Sequence, residues 1–226
     1  MPFRRTSAQT ILLALILLVS AGSSAQNQNS SSIVVPTIPT VTFTLDFPIS
    51  VPEHYSLRVT QDGKASYESM GKLTPEADGD PFSYDFTMSE ENHARIFELA
   101  AQAKYFESDV DYKKGHLANT GKKVLAYQDG QVQHEAAYNY SINSAVQQLT
   151  RIFQNVSATL EFARRLQYFH HYQRLALEDE LKRMEEMAKS DSLDEIHAIA
   201  PVLQEIADDK AILNVTRSRA VRLLAK

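Results

Sequence analysis

Tyr55-Ser56-Leu57-Arg58-Val59-Thr60-Gln61-Asp62-Gly63-Lys64-Ala65-Ser66-Tyr67 places two alternating segments on either side of an Asp-Gly pair. Alternation at period two marks half-buried strands, and Asp-Gly between them marks a short hairpin. The faces decide the turn. A type I turn with Gly63 as the left-handed bulge residue sets Leu57 opposite Tyr67 and Val59 opposite Ala65. A tighter two-residue turn would set Leu57 opposite Glu68, which puts an apolar residue against a charge on one face. The bulged turn is therefore expected.

The same period extends outward. Val41, Phe43, Leu45 and Phe47 alternate with Thr42, Thr44 and Asp46, and Phe82, Tyr84, Phe86 and Met88 alternate with Ser83, Asp85 and Thr87. Ser89 is placed to cap a helix with Glu90 and Glu91 in its first turn and Ile96, Leu99, Ala100 and Ala103 on one stripe. A second hairpin, Lys122–Gln128 and Gln131–Tyr138, surrounds Asp129-Gly130, with His134 expected to face Val124 or Leu125. The expected fold class is α+β: a mostly antiparallel sheet of about six strands built from hairpins, then a long helix and a C-terminal helical subdomain.

That long helix is read from about Ser157 to Lys189, with a break near Asn155. Leu177, Leu181, Met184 and Ala188 form a narrow apolar seam flanked by i, i+4 pairs such as Glu178 with Lys182. Ser192 with Glu195 suggests a capping box, Pro201 a split, and Asn214 the cap of a last helix carrying Val221 and Leu224 inward and Arg217, Arg219, Arg222 and Lys226 outward. The basic side of that helix can answer the acidic surface around Glu178–Glu195.

The N-terminus reads as a secretory signal peptide over residues 1–25: Arg4 and Arg5, an apolar run from Ile11 to Val19, and Ser23-Ser24-Ala25 ahead of the cut. Residues 26–40 have the composition of a flexible linker, residues 41–156 that of the α+β domain, and residues 157–226 that of a helical extension. The expected location is periplasmic or secreted, with no membrane span after signal cleavage. No cysteine is present, so neither a disulfide nor a lipid-anchored cysteine is available. Residues 1–25 hold two of the 23 basic residues and no acidic one, leaving 21 against 28 and a mature charge of −7. That balance argues against nucleic acid as a partner.

No reaction motif stands out: there is no cysteine nucleophile, Gly-x-Ser-x-Gly, His-Glu-x-x-His or glycine-rich phosphate loop. His170 and His171 are adjacent on a helix, about 100° apart, and Gln167, Arg174 and Leu175 supply no second strong ligand, so neither metal nor cofactor is expected. The polar stretch Tyr105–Lys123 is the best candidate loop for a ligand, with Asp109, Asp111 and His116 its chemistry-bearing residues. As a calcium loop it fails, since Lys114 stands where a glycine is needed and Thr120 where a glutamate is needed.

The hairpin from Tyr55 to Tyr67, followed by Met88-Ser89-Glu90-Glu91, Phe97-Glu98-Leu99 and Tyr105-Phe106, resembles an exported bacterial domain family of unknown function over roughly residues 40–155. That resemblance carries over no catalytic residue. Leu203-Gln204-Glu205-Ile206-Ala207-Asp208 with Arg217-Ser218-Arg219-Ala220 resembles a helical hairpin of the HEAT kind. The expected function is a non-enzymatic module that binds a protein or peptide partner through Leu177, Leu181, Met184, Arg217 and Arg222. The alternative is a periplasmic hydrolase or small-ligand-binding protein with its site near loop 105–123. Oligomeric state is left open.

Overall fold

The computed structural model describes residues 38–73, 79–114, 116–130 and 132–226. The signal-peptide reading and nearly all of the linker reading lie outside them. Six strands, β1 (Thr40–Asp46), β2 (His54–Thr60), β3 (Lys64–Gly71), β4 (Asp80–Thr87), β5 (Lys122–Asp129) and β6 (Val132–Tyr138), form one sheet in the order β4-β3-β2-β1-β5-β6. Every neighbouring pair is antiparallel. The fold is α+β.

The first hairpin has the expected register, Leu57 opposite Tyr67 and Val59 opposite Ala65. Gly63 takes φ +83°, and its N–H closes the turn on the Thr60 carbonyl at 2.9 Å. The second hairpin differs from expectation. His134 lies opposite Tyr127, not Val124 or Leu125, and Leu125 faces Ala136. The reason is that Lys123, Leu125 and Tyr127 all point into the core, so a buried lysine occupies a position where alternation expects an apolar residue.

One face of the sheet carries the core: Val41, Phe43, Leu57, Val59, Tyr67 and Leu125 are fully buried. The opposite face carries Thr42, Thr44, Ser56 and Arg58, the usual pattern for a sheet with helices on one side. Helix α1 (Glu90–Gln102) starts at Ser89, whose hydroxyl accepts the Asn92 N–H, and buries Ile96, Leu99 and Ala100. Helix α2 (Ser144–Tyr172) is capped by Asn143 and lies on the sheet, where Phe153 stacks on Phe43 with ring centroids 5.3 Å apart.

Helix α2 continues through Asn155 and across residue 156, where the sequence placed a boundary. The break comes instead at Gln173, which leaves helical geometry ahead of a short turn at Arg174–Ala176. Asn155 is spent elsewhere: its side-chain amide donates to the Asp191 carbonyl at 3.2 Å. Helices α3 (Leu177–Lys189), α4 (Ala200–Asp208) and α5 (Asn214–Leu224) follow, with Pro201 in the first turn of α4. They pack on α2 and on one another, and the described residues all belong to one compact unit. In α5 Ala220 and Leu223 are buried and Leu224 packs partly buried against the core, while Val221 is exposed. Leu213, not Asn214, occupies the cap position.

Glu195 makes no capping box with Ser192. Its carboxylate reaches back to the start of α1, accepting from the Ser89 N–H at 2.8 Å, the Ser89 hydroxyl at 2.6 Å and the Asn92 amide at 2.6 Å. A buried anion thus satisfies the open donors at the N-terminus of a helix about a hundred residues earlier. Its own backbone takes φ +59°, a left-handed conformation that costs a non-glycine residue about 1 kcal/mol. Two substitutions separate these effects. Glu195→Ala is expected to lower unfolding stability by about 2 kcal/mol through the lost cap. Glu195→Gly should lose about 1 kcal/mol less, because glycine removes the backbone strain. Urea unfolding reads both; equal losses for the two variants would contradict the assignment.

Candidate functional site

A cleft of ≈ 560 Å³ opens between the β1–β2 connection, the end of β3, α2 and α3. Leu45, Pro52, Ala158, Phe162 and Met187 give it apolar walls, and Lys72, Arg165 and Arg183 bring cations to its lining. Helix α2 brings Ser157 and Glu161 to its lining, part of a polar row with Arg164 that recurs at helical spacing on the face that meets β3.

Glu161 is the centre of a buried network. Its Oε1 accepts the Ser69 hydroxyl at 2.6 Å and the Tyr67 hydroxyl at 2.9 Å, and its Oε2 lies 3.8 Å from Arg164 Nη1. Ser157 Oγ lies 2.9 Å from the Tyr67 hydroxyl. Burial, and then the Glu161 charge, push the Tyr67 phenol far above its ordinary range, so it stays a donor. Arg164 also donates to the carbonyls of Gly71 and Asp80 at 3.0 and 2.9 Å, holding the two ends of the β3–β4 connection. The backbone is tight here, for a Cβ on Gly71 would meet Pro52 Cβ at 3.0 Å.

Near the mouth, Arg165 and Arg183 share one carboxylate, Glu180, at 2.6 and 2.7 Å. Both guanidinium groups lie over the Phe162 ring, 4.6 and 5.2 Å from its centroid. Two guanidinium groups against one carboxylate leave an excess of positive charge, to which Lys72 adds. The interior holds hydroxyls and one carboxylate committed to donors.

None of the sequence-derived loop residues lines this cleft. Asp109 is exposed and paired with Lys113 at 2.6 Å, Asp111 accepts the Asn139 N–H at 3.0 Å, and His116 is exposed. A smaller cavity of ≈ 350 Å³ adjoins the end of this loop at Thr120, Lys123, Tyr138 and Asn139, and none of the three residues lines it. Lys123 fastens the loop to the sheet, its ammonium donating to the carbonyls of Thr120 and Asn139, both at 3.0 Å. Burial holds that ammonium below its ordinary pKa.

The helical seam is covered within the chain. Leu177, Leu181 and Met184 have no exposure, because α2 and α5 cover them. Arg217 donates to the Ala207 carbonyl at 2.8 Å, Arg222 to Glu185 at 2.7 Å, and Arg219 to both Glu178 and Glu185. The complementarity between basic α5 and acidic α3 is used inside the chain. The stripe Ser157, Glu161, Arg164 and Arg165 was the missed signal: a polar row inside a helix whose neighbours Leu160, Phe162 and Leu166 are apolar.

No protein-family model matches this chain, and no curated protein matches it.

Proposed function

We propose that the protein is an exported, non-enzymatic binding module, and that the Glu161 cleft takes a short protein or peptide segment with an apolar side chain beside an acidic one. The observation that carries this reading is the pairing of an apolar wall, Leu45, Phe162 and Met187, with cations Lys72, Arg165 and Arg183 in one cavity. An apolar side chain on that wall gains about 25 cal/mol per Å² of buried surface, and an adjacent carboxylate meets unspent positive charge. The partner surface first expected on the seam moves to this cleft, because the seam is already filled.

Calorimetry with two hexapeptide sets, apolar residues interleaved with Asp and Glu or with Lys and Arg, tests the reading on the purified protein. Acidic members are expected to bind and basic members not. Arg183→Glu and Lys72→Glu, both in exposed side chains, should each weaken binding about tenfold, or about 1.4 kcal/mol. Equal binding of both sets, or no effect of either reversal, would sink it.

A further inference from the structure

The C-terminal end of α2 lies apart from the cleft and brings together a second set of groups. His170 and His171 occupy its last turn, and α4 presents Glu205 to them. One ligand atom from each of the three lies within 4.8 Å of the others. His170 Nδ1 is 3.5 Å from Glu205 Oε1, close to the edge of a tetrahedron with metal bonds of about 2.1 Å. The other ring nitrogen of His170 is committed: Nε2 lies 2.9 Å from Asp209 Oδ2, and the Asp209 carboxylate is itself oriented by the Ala211 N–H at 2.8 Å. A carboxylate on one imidazole nitrogen fixes the tautomer and leaves the lone pair on the other, which is how protein metal centres prepare a histidine ligand. Adjacent residues cannot chelate from one helix alone, but Glu205 arrives from another helix, α4.

We propose that His170, His171 and Glu205 form a binding site for a divalent transition-metal ion of the zinc class, with Asp209 as the positioning residue and a fourth position for water. Two imidazoles and one carboxylate favour such an ion over magnesium or calcium, which take all-oxygen sets. The carbonyl end of α2 adds a negative potential that suits a cation. Arg174 lies 3.9 Å from Asp209, the positioning carboxylate, and its Nε donates to the His170 carbonyl at 3.3 Å. The ion would tie α2 to α4.

Isothermal titration of the untagged full chain with zinc chloride, with magnesium chloride as control, tests the site. The expected result is one zinc per chain, no magnesium, and a tetrahedral absorption spectrum when cobalt replaces zinc. His171→Ala and Glu205→Gln alter exposed side chains and should each weaken zinc binding at least about tenfold while leaving the thermal transition of the metal-free protein in place. Absence of stoichiometric zinc binding, or zinc binding unchanged by either substitution, overturns the proposal. Neither outcome bears on peptide binding in the cleft.

Discussion

A chain ending at Ala176 loses its cooperative fold. Removing α3, α4 and α5 takes away Leu177, Leu181, Met184, Ile199, Leu203 and Ile206, all without exposure in the full chain. It also uncovers their partners on α2, among them Phe162 and Leu166. At about 1.5 to 3 kcal/mol for each large buried side chain, the loss is as large as the roughly 5 to 15 kcal/mol by which a domain of this size is stable. Polar ties go as well: the Glu195 cap on α1, the Thr159 hydroxyl on the Asp194 carbonyl at 2.6 Å, and the Tyr84 hydroxyl on the Ala198 carbonyl at 2.9 Å. Near-ultraviolet circular dichroism and calorimetry of the 26–176 fragment should show neither fixed aromatic packing nor a sharp transition. A fragment that melts cooperatively close to the full chain would make the C-terminal helices an appendage.

Alkaline unfolding is the second large effect. Tyr55, Tyr67 and Tyr138 are almost fully buried, and burial drives all three phenols well above the ordinary value of about 10. A folded pKa raised above the unfolded one means that the native state keeps protons the unfolded chain releases. The stability involved is fully present below about pH 10 and is lost as pH rises beyond it. With three such groups the loss approaches about 4 kcal/mol per pH unit, so about two units consume the stability of an ordinary domain. Following tyrosinate absorbance beside far-ultraviolet circular dichroism, three of the ten tyrosines should ionise only as the helical signal disappears. A gradual titration of all ten with the helical signal retained would contradict this.

What the sequence makes legible follows from the range of the interactions involved. The first hairpin is fully readable, because Asp62-Gly63 and the faces of Leu57, Val59, Ala65 and Tyr67 agree on one register. The second is not, because Val124, Leu125, Ala126 and Tyr127 are all apolar and the inward set includes Lys123, whose carbonyl partners are Thr120 in the preceding loop and Asn139 just after β6. The helix break is misplaced for a similar reason. Gln173-Arg174-Leu175-Ala176 holds only good helix formers, yet Gln173 leaves helical geometry there against local preference. Glu161 carries no local signal and Glu195 reads as the acid of a local capping box, since their donors lie 92 and 106 residues away. The apolar seam on α3 is visible in sequence, but whether it meets its own chain or another depends on where α5 folds back.

Peptide binding in the Glu161 cleft is the claim on which the functional reading stands, and amide chemical-shift mapping tests it most directly. An acidic-apolar hexapeptide titrated into isotope-labelled protein should shift Lys72, Leu73, Ser157, Ala158, Phe162, Arg183 and Met187, which come from three separate stretches of chain around one cavity. Shifts confined to the loop of Asp109, Asp111 and His116 or to the outer face of α5, or no shifts at saturating peptide, would contradict it.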